Sequence, residues 1–225
     1  MIIDLHTHTT LGSVDSMMDV GDLIEAAKRA GLDAVCITEH GNARPDVEWL
    51  AAKYSFPVFG GIESSTELGD VLIFGIESYP RHIYRFSDLR QFVKEEDGVM
   101  VAAHPFRYDF SQASGLGRDG GLTLDDACRR VIFECMEAIE VANGWAIEPE
   151  VAFGLEVSAR LGLPSTGGSD AHHPRQVGCC VTVFQEVIKN ERDLVAQITN
   201  GRCHALDRRS ASQKTPTYWA AHAWK

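Results

Sequence analysis

The chain alternates short, continuously apolar runs with longer amphipathic stretches. Runs at 2–5, 34–38, 58–62, 71–74, 99–103, 139–141 and 164–166 carry few polar interruptions. That pattern predicts strands buried on both faces of a parallel sheet. Between them, apolar residues recur at helical spacing near 20–30, 46–54, 87–96, 123–137, 149–161 and 191–200. Asp19 with Asp22 marks the start of the first helix, and Gly31, Gly162 and Gly201 stand where left-handed helix stops are expected. Repeated strand–helix order predicts an α/β fold. About seven strands in a chain of 225 residues predict one domain over 1–225, an α/β barrel slightly smaller than the eight-stranded TIM type. An open doubly wound sheet is the alternative, although no Gly-x-Gly-x-x-Gly turn follows the first strand. The Gly- and Ser-rich stretch 110–122 reads as a mobile loop, and the tail 208–225 shows no period and is expected to pack loosely.

Charge changes the picture of partners. A formal net charge of −11 argues against nucleic acid, whose phosphates need clustered Lys and Arg. It leaves room for a small phosphorylated substrate, because bound cations reverse the local sign. No apolar run approaches the roughly 20 residues that cross a bilayer, so no membrane partner is expected. The first residues lack a basic segment followed by an apolar one, which makes the cytoplasm the expected location. The six cysteines (36, 128, 135, 179, 180 and 203) form no Cys-x-x-Cys pair and read as reduced thiols.

The candidate chemistry lies at the strand ends. His6 and His8 follow the first predicted strand, Glu39 and His40 the second, Glu63 the third and His104 the fifth. Asp170, His172 and His173 follow the last one. In parallel barrels these ends share one face, so side chains distant in sequence converge there. Imidazole and carboxylate together form a donor set for Zn, Mn or Fe. The i, i+2 spacing of His6 with His8, and of Asp170 with His172, puts each pair on one side of an extended segment. Glu39 is read as a cap or surface charge rather than a ligand, and His82, His204 and His222 read as ordinary histidines.

With these residues assembled, the chain resembles the PHP family, named for polymerase and histidinol phosphatase. The likeness is carried by Asp4-Leu5-His6-Thr7-His8-Thr9, Ile37-Thr38-Glu39-His40, Gly61-Ile62-Glu63, Ala103-His104-Pro105 and Gly168-Ser169-Asp170-Ala171-His172. It implies a seven-stranded distorted barrel and a phosphoesterase with two or three divalent metal ions (Zn, Mn or Fe). It also implies a first ion on His6, His8, Glu63 and Asp170, and a second sharing Glu63 with His104. A third would sit among Asp15, His40 and His172. The sequence departs from the family where relatives often carry a further histidine, since Asp70 stands there. Asp70 reads either as a harder ligand favouring Mn or Fe, or as a turn residue after Gly69.

The chemistry expected from that centre is hydrolysis of a small phosphomonoester, such as a nucleotide, a nucleoside bisphosphate or an amino-alcohol phosphate. A water held between two ions loses its proton near neutral pH and attacks phosphorus. His172 or His173, whichever is left unligated, would protonate the leaving oxygen. Arg107 and Arg175, each three residues past a histidine of the site, read as phosphate clamps or surface residues, and Asn143 as a group that orients substrate. The alternatives are a phosphodiesterase or 3′–5′ exonuclease of the same family, an amidohydrolase-like enzyme cleaving C–N bonds, and a non-catalytic metal-binding module.

Overall fold

The first helix forms where the sequence places it, for reasons visible in its side chains. The computed structural model describes residues 1–40, 45–77, 83–107, 109–110 and 121–214. Helix α1 (Val20–Arg29) opens with the Asp19 carboxylate accepting the Asp22 N–H at 2.8 Å. It buries Val20, Leu23, Ile24, Ala26 and Ala27 and ends before Gly31 at φ 68°. Helices α2 (Val47–Tyr54), α3 (Phe86–Glu95), α5 (Glu148–Leu161) and α6 (Glu191–Thr199) also coincide with predicted stretches. The stretch 123–137 does not form one helix. It divides into α4 (Leu124–Cys128) and a 3-10 turn (Val131–Cys135). Arg130 lies at the break, its guanidinium donating to Pro105 O and Asp109 Oδ2, both at 2.8 Å. These long-range bonds outweigh the local helical preference.

Strands β1 (Ile2–Asp4), β2 (Ala34–Glu39), β3 (Val58–Thr66), β4 (Gly69–Phe74), β5 (Val99–Ala102), β6 (Ala138–Asn143) and β7 (Ser165–Gly168) match the seven predicted runs. Two features correct the expected barrel. The sheet has nine strands among the described residues, because β8 (Cys180–Phe184) and β9 (Cys203–Asp207) join beside β1 in the order β7-β6-β5-β4-β3-β2-β1-β8-β9. Furthermore β4 runs antiparallel to both β3 and β5. Only Glu67 and Leu68 separate β3 from β4, and a connection that short makes a hairpin, never a parallel crossover.

The sheet curls until its ends nearly meet. Past β1 and β7 the chain continues in a parallel bridge, Thr7 to Ala171, with Asp170 N–H donating to His6 O at 2.7 Å and His8 N–H to Ala171 O at 2.9 Å. Below that bridge β8 fills the seam, its Thr182 hydroxyl bonding both Gly167 N and Gly167 O at 2.9 and 2.8 Å. The seam requires glycine. A Cβ on Gly167 would collide with Val181 O, and one on Gly168 with the His6 side chain.

Side-chain alternation divides the core. Leu72 and Phe74 point inward with Ile3, Cys36, Val101 and Phe184, while Val71 and Ile73 face α3 and α5. Helix α1 and Leu50 of α2 cover Val35 and Ile37 of β2. Leu194 and Ile198 of α6 pack onto the inner cluster, leaving the opposite end, where β1, β2, β5, β6 and β7 terminate, for polar groups. No helix of the described residues is long and apolar enough to cross a membrane. All six cysteines are unpaired, as expected. His82, His222, Trp219, Trp224 and most of the 110–122 loop lie outside the described residues, while the start of the tail is anchored by buried Arg209.

Candidate metal centre

His6 and His8 owe their position to the continuation of β1. Thr7, between them, donates its hydroxyl to Cys36 O at 2.6 Å and its N–H to Thr38 Oγ1 at 3.1 Å, which fixes the segment against β2. Both rings then turn inward and are fully buried. Each is gripped at Nδ1, His6 by Glu140 Oε1 at 3.0 Å and His8 by Ser13 Oγ at 3.2 Å. Their Nε2 atoms converge on two carboxylates. His6 Nε2 lies 3.3 Å from Glu63 Oε2 and 3.6 Å from Asp170 Oδ1, and His8 Nε2 lies 3.4 and 3.2 Å from the same atoms. Neither Nε2 meets these oxygens with hydrogen-bond geometry, so two buried ring nitrogens are aimed at a common point without a partner. Nitrogen lone pairs and carboxylate oxygens around one point fit a divalent cation.

Glu63, on β3, faces two ways. Its Oε1 lies 2.9 Å from His104 Nε2, and its Oε2 lies 3.0 Å from His40 Nδ1 as well as near His6 and His8. Asp70 completes the His104 side, because one donor atom from each of Glu63, Asp70 and His104 falls within 4.8 Å of the others. The reversal of β4 makes this possible by delivering the start of that strand to the face where the other strands end. Atoms of His6, His8 and Glu63, of His6, His104 and Asp170, and of His8, His40 and His172 satisfy the same 4.8 Å limit. The half-exposed Asp15 carboxylate reaches His40 Nε2 at 3.4 Å and His172 Nε2 at 3.3 Å.

Charge at the centre is strongly coupled. Burial opposes ionisation of Glu63, yet the imidazoles of His6, His104 and His40 hold its carboxyl well below the ordinary range. Asp170 is likewise depressed, with burial overcome by His6 and Arg107. For His6, burial is outweighed by Glu140, Asp170 and Glu63, and its pKa rises well above the ordinary value. Burial pushes His8 down to about 4. The surroundings of His6 therefore favour positive charge at the centre. His104 and Asp170 both adopt the left-handed backbone region, at φ 29° and 53°. Their N–H groups are held there by Glu140 Oε2 at 3.0 Å and His6 O at 2.7 Å.

Several further groups position this set. Glu140, on β6 and fully enclosed, binds His6, His104 N–H and the Asn143 amide at 3.0 Å each. Its signal in the sequence is a carboxylate inside an otherwise apolar strand, which is costly without a partner. Glu39 accepts from the hydroxyls of Thr9 and Ser13 and from Thr9 N–H, so it shapes the loop that carries the His8 partner Ser13. Burial raises the Asp4 carboxyl to about 6, and it accepts from Ser169 N–H and Gly178 N–H at 2.8 Å, tying β1 to the β7 end.

The remaining expected residues divide. Arg107 enters the centre, pairing with Asp170 and donating to Asn143 Oδ1 at 2.7 Å. Asn143 is occupied by Arg107, Trp145 N–H and Glu140, so it orients Arg107. His173 and Arg175 are not brought to the cluster by any described contact. His173 Nδ1 accepts the Arg175 N–H at 3.2 Å within their own loop, and Arg175 is exposed. His204 is exposed on β9, in keeping with an ordinary histidine. The cleft of about 760 Å³ between α2 and α6 is lined by Val58 and Phe59, at the opposite end of β3 from Glu63, and holds none of these groups.

A family profile described as PHP domain matches residues 4–116, and a second described as PHP-associated matches residues 153–203. The chain belongs to the PHP domain family. An uncharacterized protein of Methanocaldococcus jannaschii is 28% identical over 118 residues, 47% of this chain and 68% of that protein. The PolC-type DNA polymerase III of Clostridium perfringens is 38% identical over 63 residues. That match takes in 27% of this chain and spans only 4% of the polymerase. A crystal structure of a two-domain Bacteroides vulgatus protein, described as containing a predicted PHP-like metal-dependent phosphoesterase, superposes with a TM-score of 0.65 at 23% identity. It covers 92% of this chain and 64% of that one. At that identity the likeness is one of fold.

Proposed function

We propose that the chain is a metal-dependent phosphoester hydrolase acting on small phosphomonoesters. The observation that carries this reading is the divided Glu63 carboxylate, with Oε1 on His104 and Oε2 facing His6, His8 and His40. A carboxylate so placed is suited to bridge two cations. In this reading His6, His8, Glu63 and Asp170 hold one ion, and Glu63, His104 and Asp70 a second. Asp15, His40 and His172 hold a third. Divalent ions bound there supply Lewis acidity to phosphoryl oxygens and acidify water near neutral pH.

The chain's own groups bind and orient. Glu140 keeps the His6 proton on Nδ1, which directs the Nε2 lone pair inward. The Arg107 guanidinium, aimed by Asn143 and Asp170, presents a planar donor to a phosphate oxygen. The buried Arg107 Nε makes no hydrogen bond. His172, half-buried at the rim, is held at Nδ1 by Asp170 O at 3.0 Å, which turns its Nε2 toward Asp15 and the third ion position. Elemental analysis of the purified protein, with turnover of p-nitrophenyl phosphate and bis-p-nitrophenyl phosphate, tests the reading. Two or more ions per chain and preferential monoester turnover are expected.

The match to PolC-type polymerases favours a second reading, cleavage of phosphodiesters at nucleic-acid ends. The net charge of −11 weighs against it, and turnover of the diester alone would establish it in place of the first.

A further inference from the structure

The loop between β1 and α1 carries an apolar rim beside the candidate metal centre. Leu11, Val14 and Met17 are 52%, 105% and 86% exposed. The loop bearing them is pinned, since Thr10 N–H donates to Met18 O at 3.0 Å, Ser13 N–H to Thr9 O at 3.1 Å and Met17 N–H to His172 O at 3.2 Å. The Ser16 hydroxyl adds a bond to His8 O at 2.9 Å. Asp15, between Val14 and Met17, sits 3.4 and 3.3 Å from the Nε2 atoms of His40 and His172. Single exposed apolar side chains are common, but three within seven residues of one pinned loop, flanking a residue of the centre, are a candidate binding surface. On the β6 side of the centre, the Trp145 indole is half-buried and fixed by its Nε1–H donating to Asp170 O at 2.9 Å.

We infer that this rim binds the organic half of the substrate, so that the centre takes phosphoesters of aromatic or otherwise apolar alcohols over those of small polar ones. The inference rests on the phosphoester reading above and names its substrate class. On this inference, a phosphoryl group seated among the histidines extends its organic half past His40 and His172 toward the Asp15 loop, whose exposed apolar residues are Leu11, Val14 and Met17. Apolar groups gain by covering such side chains, whereas a polyol forfeits hydration there.

Calorimetric titration of the metal-loaded protein with phenylphosphonate and methylphosphonate, which are not turned over, tests this directly. Covering an aromatic ring on the rim corresponds to about tenfold tighter binding of the phenyl compound. In the double variant Val14→Ser and Met17→Ser, that preference should fall to about twofold or less with methylphosphonate affinity unchanged. Both positions are exposed, so the fold is retained. Equal affinities in the native protein would overturn the inference and leave the phosphoester reading standing. A preference that survives the double variant overturns it as well, by placing apolar recognition elsewhere. Failure of both phosphonates to bind removes the phosphoester reading together with the rim's role.

Discussion

The Glu140 carboxylate holds His6 Nδ1 at 3.0 Å, and through its other oxygen it holds the His104 N–H at the same distance. One buried side chain therefore sets the ring of one candidate ligand and the backbone of another. Because Glu140 itself faces no cation, Glu140→Gln should weaken metal binding through orientation alone, by about 10–100-fold. Metal content after dialysis against a graded chelator series measures this. Retention equal to the native protein would assign Glu140 a packing role only.

Glu63 bears on four imidazoles at once. Glu63→Ala should lower the number of ions bound per chain by more than one, whereas Asp70→Ala should lower it by one. A thermal melt adds an independent readout. Saturating Mn at 100 times its dissociation constant should raise native stability by about 2.7 kcal/mol, and the Glu63 variant should lose most of that gain. Equal stoichiometry in the two variants would contradict a shared carboxylate.

Arg107 pairs with Asp170, a candidate ligand, and its buried Nε makes no hydrogen bond. Arg107→Ala should weaken phosphate binding by about 1.5–3 kcal/mol, the range for hydrogen bonds to charged groups. Metal content should persist, because Asp170 Oδ1 faces His6 and His8 on its other side. Arg175→Ala, at an exposed position without a described contact to the centre, should leave kcat/KM within about twofold. A larger loss at Arg175 than at Arg107 would reverse these assignments.

Asp207 and Arg209 give the fold a specific acid sensitivity. Burial raises the Asp207 carboxyl, but the Arg209 guanidinium, bonded at 2.9 and 3.0 Å, holds it below the ordinary value. A folded-state pKa that is depressed adds stability above the unfolded-state value, near 4 for aspartate. That contribution disappears as pH falls through the lower folded-state value. Native protein should therefore lose more stability between pH 5 and 3 than Arg209→Met, measured by urea midpoints. Arg209 also donates to Gly144 O and Ala146 O at 2.9 and 2.6 Å, so the variant should loosen the loop carrying Trp145.

Much of the site could be read from the chain because its donors fall directly after apolar runs. His6, His8, Glu63, His104 and Asp170 are each one to four residues past such a run, and the structure gathers them. The orientation of β4 was also available, since the separation from the preceding run leaves too few residues for a crossover. β9 was not, because its residues alternate between buried and exposed and carry His204 and Asp207 in a short span. Glu140 and Ser13 escape strand-end reasoning for a different reason. They act on other side chains across 134 and 5 positions of sequence, and neither lies at the end of an apolar run.

The reversed hairpin has a consequence for how such enzymes can diversify. Glu63 and Asp70 sit on facing arms of one ribbon, anchored below by the Leu72 pairing and above by the two-residue turn at Glu67 and Leu68. Lengthening that turn would extend a lip over the mouth while both donors keep their register. The ribbon thus separates the part that must stay constant from the part free to change what is admitted.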